Sequence, residues 1–244
     1  MVCVKELVHN DDISNELSIL SKCIHPKIVQ FLGADTSADK TSMVFEYMEE
    51  GTLSDYIKSH KLSKIDKFVL MIDILIGINY LHKREPNIIL HRDLKPDNIL
   101  VNKYGQVKIA DFGISKLVEF EKCNDFSGHT CETGTYMWMS PEVLKHEPYN
   151  YKADMYSLGL ILYYIWTEEE PFIKLHMNTI QLAFAKFKNE LEYNKTNNDQ
   201  LNNIIRRCCA YDKEIRPDSA MVIKELNQLL LAEDSDQFTI KQVR

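Results

Sequence analysis

His91-Arg92-Asp93-Leu94-Lys95-Pro96-Asp97-Asn98 decides how this chain reads, together with the segment behind it: Ile99-Leu100-Val101, a Tyr104-Gly105 turn, then Val107-Lys108-Ile109-Ala110-Asp111-Phe112-Gly113. Two short β-rich runs around a turn predict a hairpin. A hairpin returns the chain to the end it started from, so Asp111 meets the loop that carries Asp93, Lys95 and Asn98. Carboxylates, an amide and an ammonium are thereby expected at one point. An isolated Asp-Phe-Gly would be weak evidence, because such turns are common. Its specificity comes from its distance to the eight-residue stretch.

Together the two stretches resemble the catalytic loop and the metal-binding loop of protein kinases. Phosphoryl transfer needs a carboxylate to accept the substrate hydroxyl's proton and oxygen ligands to hold Mg²⁺ on the phosphates. The resemblance gives the first role to Asp93 and the second to Asn98 and Asp111. Lys95 would neutralise charge on the transferred phosphoryl group, and its position two residues after Asp93 resembles the serine/threonine form of the loop. The implied ligands are ATP and Mg, and the implied partner is a protein substrate presenting Ser or Thr.

The likeness extends from Val2 to about Leu231. Val2-Cys3-Val4-Lys5 resembles the third-strand lysine motif and Glu16 its ion-pair partner, so Lys5 would clamp the α and β phosphates. Taken alone, a Lys near a terminus and a helical Glu are surface charges. Met43-Val44-Phe45-Glu46-Tyr47-Met48-Glu49-Glu50-Gly51 looks like the last small-lobe strand and the hinge. There the carbonyl of Glu46 and the backbone of Met48 would recognise adenine, Leu100 would pack beneath it, and Phe45 would narrow the pocket behind. Gly134-Thr135-Tyr136-Met137-Trp138-Met139-Ser140-Pro141-Glu142 resembles the end of an activation segment, with Ser140 where Ala is the commoner family form. The Trp138-Met139 pair is similar to the tyrosine-kinase-like group of serine/threonine kinases. Glu142 is expected to pair with Arg216, and Asp154 to hold the catalytic-loop backbone. Phosphate placed by an activating kinase on Ser127, Thr130 or Thr133 could pair with Arg92.

The fold this implies is α+β and bilobal. A small antiparallel-sheet lobe occupies residues 1–45, a hinge 46–51, a mostly α-helical large lobe 52–232, and a tail 233–244. Val2-Cys3-Val4, Ile28–Leu32 and Ser42–Glu46 read as strands. Asp11-Asp12 caps a helix whose apolar positions Ile13, Leu17, Leu20 and Ile24 share a face, and His25-Pro26 stops it. Helices follow at Ile65–His82, Lys152–Trp166 and Ser219–Leu231. Asn194–Asn203 reads as a solvated loop or helix start.

Composition sets the remaining bounds. A 45% hydrophobic, 27% charged chain of 244 residues can bury a core and is not disordered. A net charge of −7 supplies no basic field for nucleic acid or an anionic membrane, so neither is an expected partner. No run reaches the roughly 20 apolar residues of a membrane span. Six cysteines without regular spacing fit reduced thiols and a cytoplasmic address. Cys123, His129 and Cys131 could donate to a metal but lack a second pair, and read as loop residues.

The pattern departs from the family at its start. Two strands around a Gly-rich loop, roughly 20–25 residues, are expected before Lys5. The first glycine here is Gly33, so that lid is expected upstream of Met1 and the isolated chain is expected to transfer slowly. Two functions follow: an enzyme, or a pseudokinase scaffold that holds a partner without transfer. Asp93, Asn98, Asp111 and Lys5 all being present favours the enzyme.

Overall fold

Alternating and β-branched residues build the small lobe around a central strand. A computed structural model describes residues 1–8, 13–35, 40–113, 115–119, 135–191 and 196–242. Within it β1 (Val2–Val8) and β2 (Phe31–Asp35) flank β3 (Lys40–Glu46), all antiparallel, in the order β1-β3-β2. Lys5 stands opposite Met43 and Val2 opposite Glu46. Because side chains alternate across a strand, Cys3 and Lys5 share one face. Both line the cleft beneath the sheet, as does Val4 at the strand's exposed edge, and Val2 and Val4 are about half exposed. Helix α1 (Ile13–Leu20) packs Ile19 and Leu20 inward.

Two expectations for this lobe need correction. Ile24 does not continue the apolar face of α1: the helix ends at Leu20 and Ile24 is 83% exposed, while Cys23 turns inward. The run Ile28–Leu32 is also not one strand. Ile28 bridges Ile109 in parallel, Val29 N donates to the Ile109 carbonyl at 2.9 Å, and β2 begins only at Phe31. The segment thus stitches the small lobe to the hairpin of the large lobe.

That hairpin is β6 (Ile99–Val101) with β7 (Val107–Ile109), extended by the short β4 (Gly51–Thr52) in the order β4-β6-β7. Helix α2 (Leu53–Ser59) starts on a Thr52–Asp55 capping box. Helix α3 (Lys64–His82) starts on another, Ser63–Asp66, and buries Phe68, Met71, Leu75 and Ile78. It lies so close to β7 that a Cβ added at Gly77 would sit 2.7 Å from Ile109 Cδ1. Strand β5 (Asn87–Leu90) pairs antiparallel with β8 (Lys116–Glu119). The rest is helical: α4 (Pro141–Leu144), α5 (Lys152–Thr167), α6 (Thr179–Phe187), α7 (Asp199–Cys208) and α8 (Ser219–Gln242). Helix α5 is buried on all sides from Ala153 to Trp166 and forms the axis of the lobe. The last helix runs past the expected end at Leu231 through the stretch read as a tail, and Glu233 pairs with Lys64 at 2.8 Å. Among the described residues no helix is long and apolar enough to cross a membrane.

Candidate active site

Between the lobes lies a cleft of about 450 Å³ lined by Lys5, Glu16, Phe45, Met48, Leu100 and Asp111 among others. Its floor and roof are mostly apolar side chains, with charge concentrated at one end. There Lys5 Nζ lies 3.1 Å from Glu16 Oε1 and 3.1 Å from Asp111 Oδ1. Glu16 is buried, while the Lys5 and Asp111 side chains remain 36% and 44% exposed, which leaves room for a ligand at their outer faces. Burial works against the Lys5 ammonium, but Asp111 and Glu16 outweigh it and raise its pKa. Burial likewise works against the Asp111 carboxylate, and Lys5 reverses this and holds its pKa below the usual value of 3.8. Both groups are therefore charged at neutral pH.

The hinge side is anchored by a contact that the sequence does not announce. Glu46 Oε1 and Oε2 accept from Lys108 Nζ of β7 at 2.6 and 2.7 Å, and Oε1 also accepts from Gln30 N at 2.7 Å. Phe45 packs edge-on against Phe31, with ring centroids 5.7 Å apart. The Met48 carbonyl accepts from Gly51 N at 3.3 Å, which leaves its second lone pair and its N–H for a ligand.

The catalytic-loop stretch is held from behind. Asp154 of α5, wholly buried, accepts from His91 N and Arg92 N at 2.9 Å each and pairs with His82 Nε2 at 2.8 Å. His91 Nε2 meets the Ala110 carbonyl at 2.9 Å, and Ser115 Oγ donates to the His91 carbonyl at 3.1 Å. These contacts fasten the loop to the Asp111-Phe112-Gly113 segment. Arg92 and Asp111 have φ of 72° and 61°, a left-handed conformation that costs a non-glycine residue energy and persists where the surroundings enforce it.

In front of that scaffold Asp93 Oδ2 lies 2.8 Å from Lys95 Nζ and accepts from Asn98 Nδ2 at 2.7 Å. Asn98 Nδ2 also donates to the Asp93 carbonyl at 2.8 Å. Asp93 Oδ1 is buried without a hydrogen-bond partner. A buried carboxylate oxygen left open is costly unless a ligand donates a hydrogen bond to it. Both hydrogens of the Asn98 amide are spent on Asp93, which leaves Oδ1 as an acceptor. With the Asp111 carboxylate this makes an all-oxygen donor pair, the chemistry that hard divalent cations take. Among the described residues no group of three or more His, Cys, Asp or Glu side chains is arranged to hold a metal ion. A cation here would complete its shell with phosphate oxygens and water, as Mg²⁺ ordinarily does.

Farther along, Glu142 and Arg216 form a buried two-pronged pair, with oxygens 2.6 and 2.9 Å from Nη1 and Nη2. Of the sequence expectations, Lys5, Glu16, Glu46, Met48, Leu100 and Asp111 all reach the cleft, and Asn98 lines it beside Asp93 and Lys95. Ser127, Thr130, Thr133, Cys123, His129, Cys131 and Asp11-Asp12 lie outside the described residues. Sequence reasoning missed His82, Lys108 and Lys186.

A two-lobed fold with a nucleotide-sized cleft, a fixed Lys–Glu pair and a convergent Asp–Lys–Asn–Asp group is that of a protein kinase catalytic domain. The chain matches the protein kinase domain family over residues 2–227 and belongs to it. Among curated relatives it is 34% identical over 230 residues to the serine/threonine-protein kinase STY17 of Arabidopsis thaliana, covering 93% of this chain and 39% of that protein. It is 36% identical over 219 residues to the serine/threonine/tyrosine-protein kinase HT1 of the same plant, covering 88% and 54%. It is 33% identical over 224 residues to the dual specificity protein kinase shkA of Dictyostelium discoideum, covering 90% and 42%. The chain thus spans about half or less of the length of these relatives. The serine/threonine likeness read from Lys95 and Trp138-Met139 agrees with the name of STY17, while the names of HT1 and shkA add tyrosine or dual specificity.

Proposed function

We propose that this chain transfers the γ-phosphate of Mg-ATP to Ser or Thr hydroxyls of a protein substrate in intracellular signalling. The observation that carries this reading is the open Asp93 Oδ1, buried beside Lys95 and bonded through its other oxygen to Asn98, which lines the cleft. Adenine would lie against Leu100 and the hinge backbone at Glu46 and Met48, with Phe45 limiting the depth behind it. Lys5, held by Glu16, would take the α and β phosphates. Asn98 Oδ1 and Asp111 would hold Mg²⁺, which supplies charge neutralisation to the phosphate oxygens. The substrate hydroxyl oxygen bonds to the γ-phosphorus while the bond from that phosphorus to the β–γ bridging oxygen breaks. Asp93 takes the hydroxyl proton, ADP leaves with the electron pair, and Lys95 offsets the charge on the moving group.

A scaffold that only holds a partner has no need of four such groups in register. The free cysteines among the described residues, Cys3, Cys23, Cys208 and Cys209, support a reducing, cytoplasmic setting. An activating kinase would act on the segment before Thr135, and Arg92, whose guanidinium lies 5.6 Å from the Tyr149 ring centroid, could answer the added phosphate.

Asp111→Asn tests the nucleotide end of the reading. Removing the charge is expected to weaken ATP binding in the presence of Mg²⁺ by about 10- to 100-fold, the effect of losing one charge-assisted contact. Binding without the metal should change little. Calorimetric titration with and without Mg²⁺ separates the two, and an equal loss in both would mean that Asp111 does not hold the cation.

A further inference from the structure

Lys108 joins the two lobes where the cleft meets the hinge. It stands on β7 directly opposite Leu100 of β6, so the two side chains project from the same face of the hairpin. On that face Leu100 lines the cleft, and Lys108 reaches across to the carboxylate of Glu46, the last residue of β3. Glu46 also lines the cleft, whereas Lys108 does not. Both side chains are three-quarters or more buried, which sets the pair apart from the solvated surface pairs that contribute little.

Glu46 is gripped from a second side. Its Oε1 accepts from Gln30 N at 2.7 Å, and its own N donates to the Gln30 carbonyl at 3.0 Å. The residues ahead of Gln30 are themselves laddered onto β7: Ile109 N donates to the Lys27 carbonyl and Val29 N to the Ile109 carbonyl, each at 2.9 Å. These contacts close a ring that runs from β7 through residues 27–30 to Glu46, and from Glu46 through Lys108 back to β7. Glu46 is thereby held, by backbone and carboxylate together, in a fixed relation to the hairpin that carries Leu100. That relation bears on which base the cleft accepts. In the reading above Leu100 packs beneath adenine and the Glu46 carbonyl accepts from its exocyclic amino group. Guanine has an oxygen at that position, which cannot donate and is repelled by a carbonyl held facing it. A Glu46 carbonyl free to turn aside would reject guanine less.

We propose that Lys108 is a positioning residue for nucleotide choice: it fixes Glu46 from β7 and so sets the preference of the cleft for ATP over GTP. This rests on the nucleotide-binding part of the reading above.

Calorimetric titration of the full-length protein with Mg-ATP and with Mg-GTP gives the ratio of the two dissociation constants. Lys108→Met keeps the length of the side chain but removes its donors, and is expected to shrink the GTP-to-ATP ratio by about tenfold. Lys108→Arg, which still donates to both carboxylate oxygens, is expected to stay within about threefold of the wild type. Glu46→Gln weakens the same pair from the other end and should lower the ratio as well. It decides the matter should Lys108→Met fail to fold by thermal unfolding. Because the two changes break one contact, the double variant should lower the ratio no further than the stronger single one. An unchanged ratio in Lys108→Met and Glu46→Gln, including one in which both affinities fall in proportion, would overturn the proposal. So would a wild type that binds the two nucleotides equally or binds neither. Binding is measured without transfer, so a wild type that binds Mg-ATP yet phosphorylates no protein would defeat the phosphotransfer reading alone.

Discussion

If Asp93 is the proton acceptor, Asp93→Asn is expected to lower turnover by about three orders of magnitude while the protein stays folded. General-base catalysis of this kind contributes about 10²- to 10⁴-fold, and the amide that replaces the carboxylate cannot take the hydroxyl proton. The fold survives because the contacts behind the loop do not use this side chain: Asp154 grips the backbone of His91 and Arg92. The new amide oxygen can still accept from Asn98 Nδ2, and the lost Lys95 pairing joins two loop residues already fixed by that backbone. Steady-state turnover and the thermal midpoint, measured together, check this. Near-full turnover with unchanged nucleotide affinity would take the proton-acceptor role away from Asp93.

The second large effect is on stability. Glu142→Ala strands the Arg216 guanidinium, whose side chain is fully buried. Breaking a buried pair from one side costs about 3–5 kcal/mol, because the remaining charge has no counterpart. Arg216 keeps its bonds to the carbonyls of Ala210 and Lys152 at 2.7 and 2.9 Å, which soften but do not remove that cost. The sign of the pH dependence follows from the carboxyl. Burial opposes its ionisation, yet the hydrogen bonds and charge of Arg216 prevail and depress its pKa below the ordinary 4.5. The pair's contribution is thus fully present above about pH 4.5 and is lost as pH falls through the lower folded-state value. Guanidinium unfolding at pH 7 should show the full deficit in Glu142→Ala, and the gap to wild type should narrow under more acid conditions. A gap that widened toward acid would contradict the assignment.

The chemistry-bearing loops were legible because their groups are close in sequence or joined by a hairpin. Asp93, Lys95 and Asn98 share one loop, and β6–β7 returns Asp111 to them. Lys5 and Glu16 were legible only through their order relative to those loops, since nothing local separates them from surface charges. What the sequence hid depends on burial set by distant elements. Lys186 lies in a helix whose exposed Ile180 and Phe184 give no hint that the lysine points inward. His82 ends an apolar helix, and its significance lies in Asp154, 72 residues away. The run at Ile28 reads as a strand for the same reason, although Ile28 forms a bridge to Ile109 of the large lobe and the small sheet begins only at Phe31. The helix beyond Leu231 lacks an apolar stripe, so periodicity could not announce it.

Phosphoamino-acid analysis after incubation with γ-labelled Mg-ATP and a protein acceptor tests the central claim most directly. The account predicts label on phosphoserine and phosphothreonine, and its loss in Asp93→Asn. Label on phosphotyrosine alone, or equal labelling by wild type and Asp93→Asn, would contradict it.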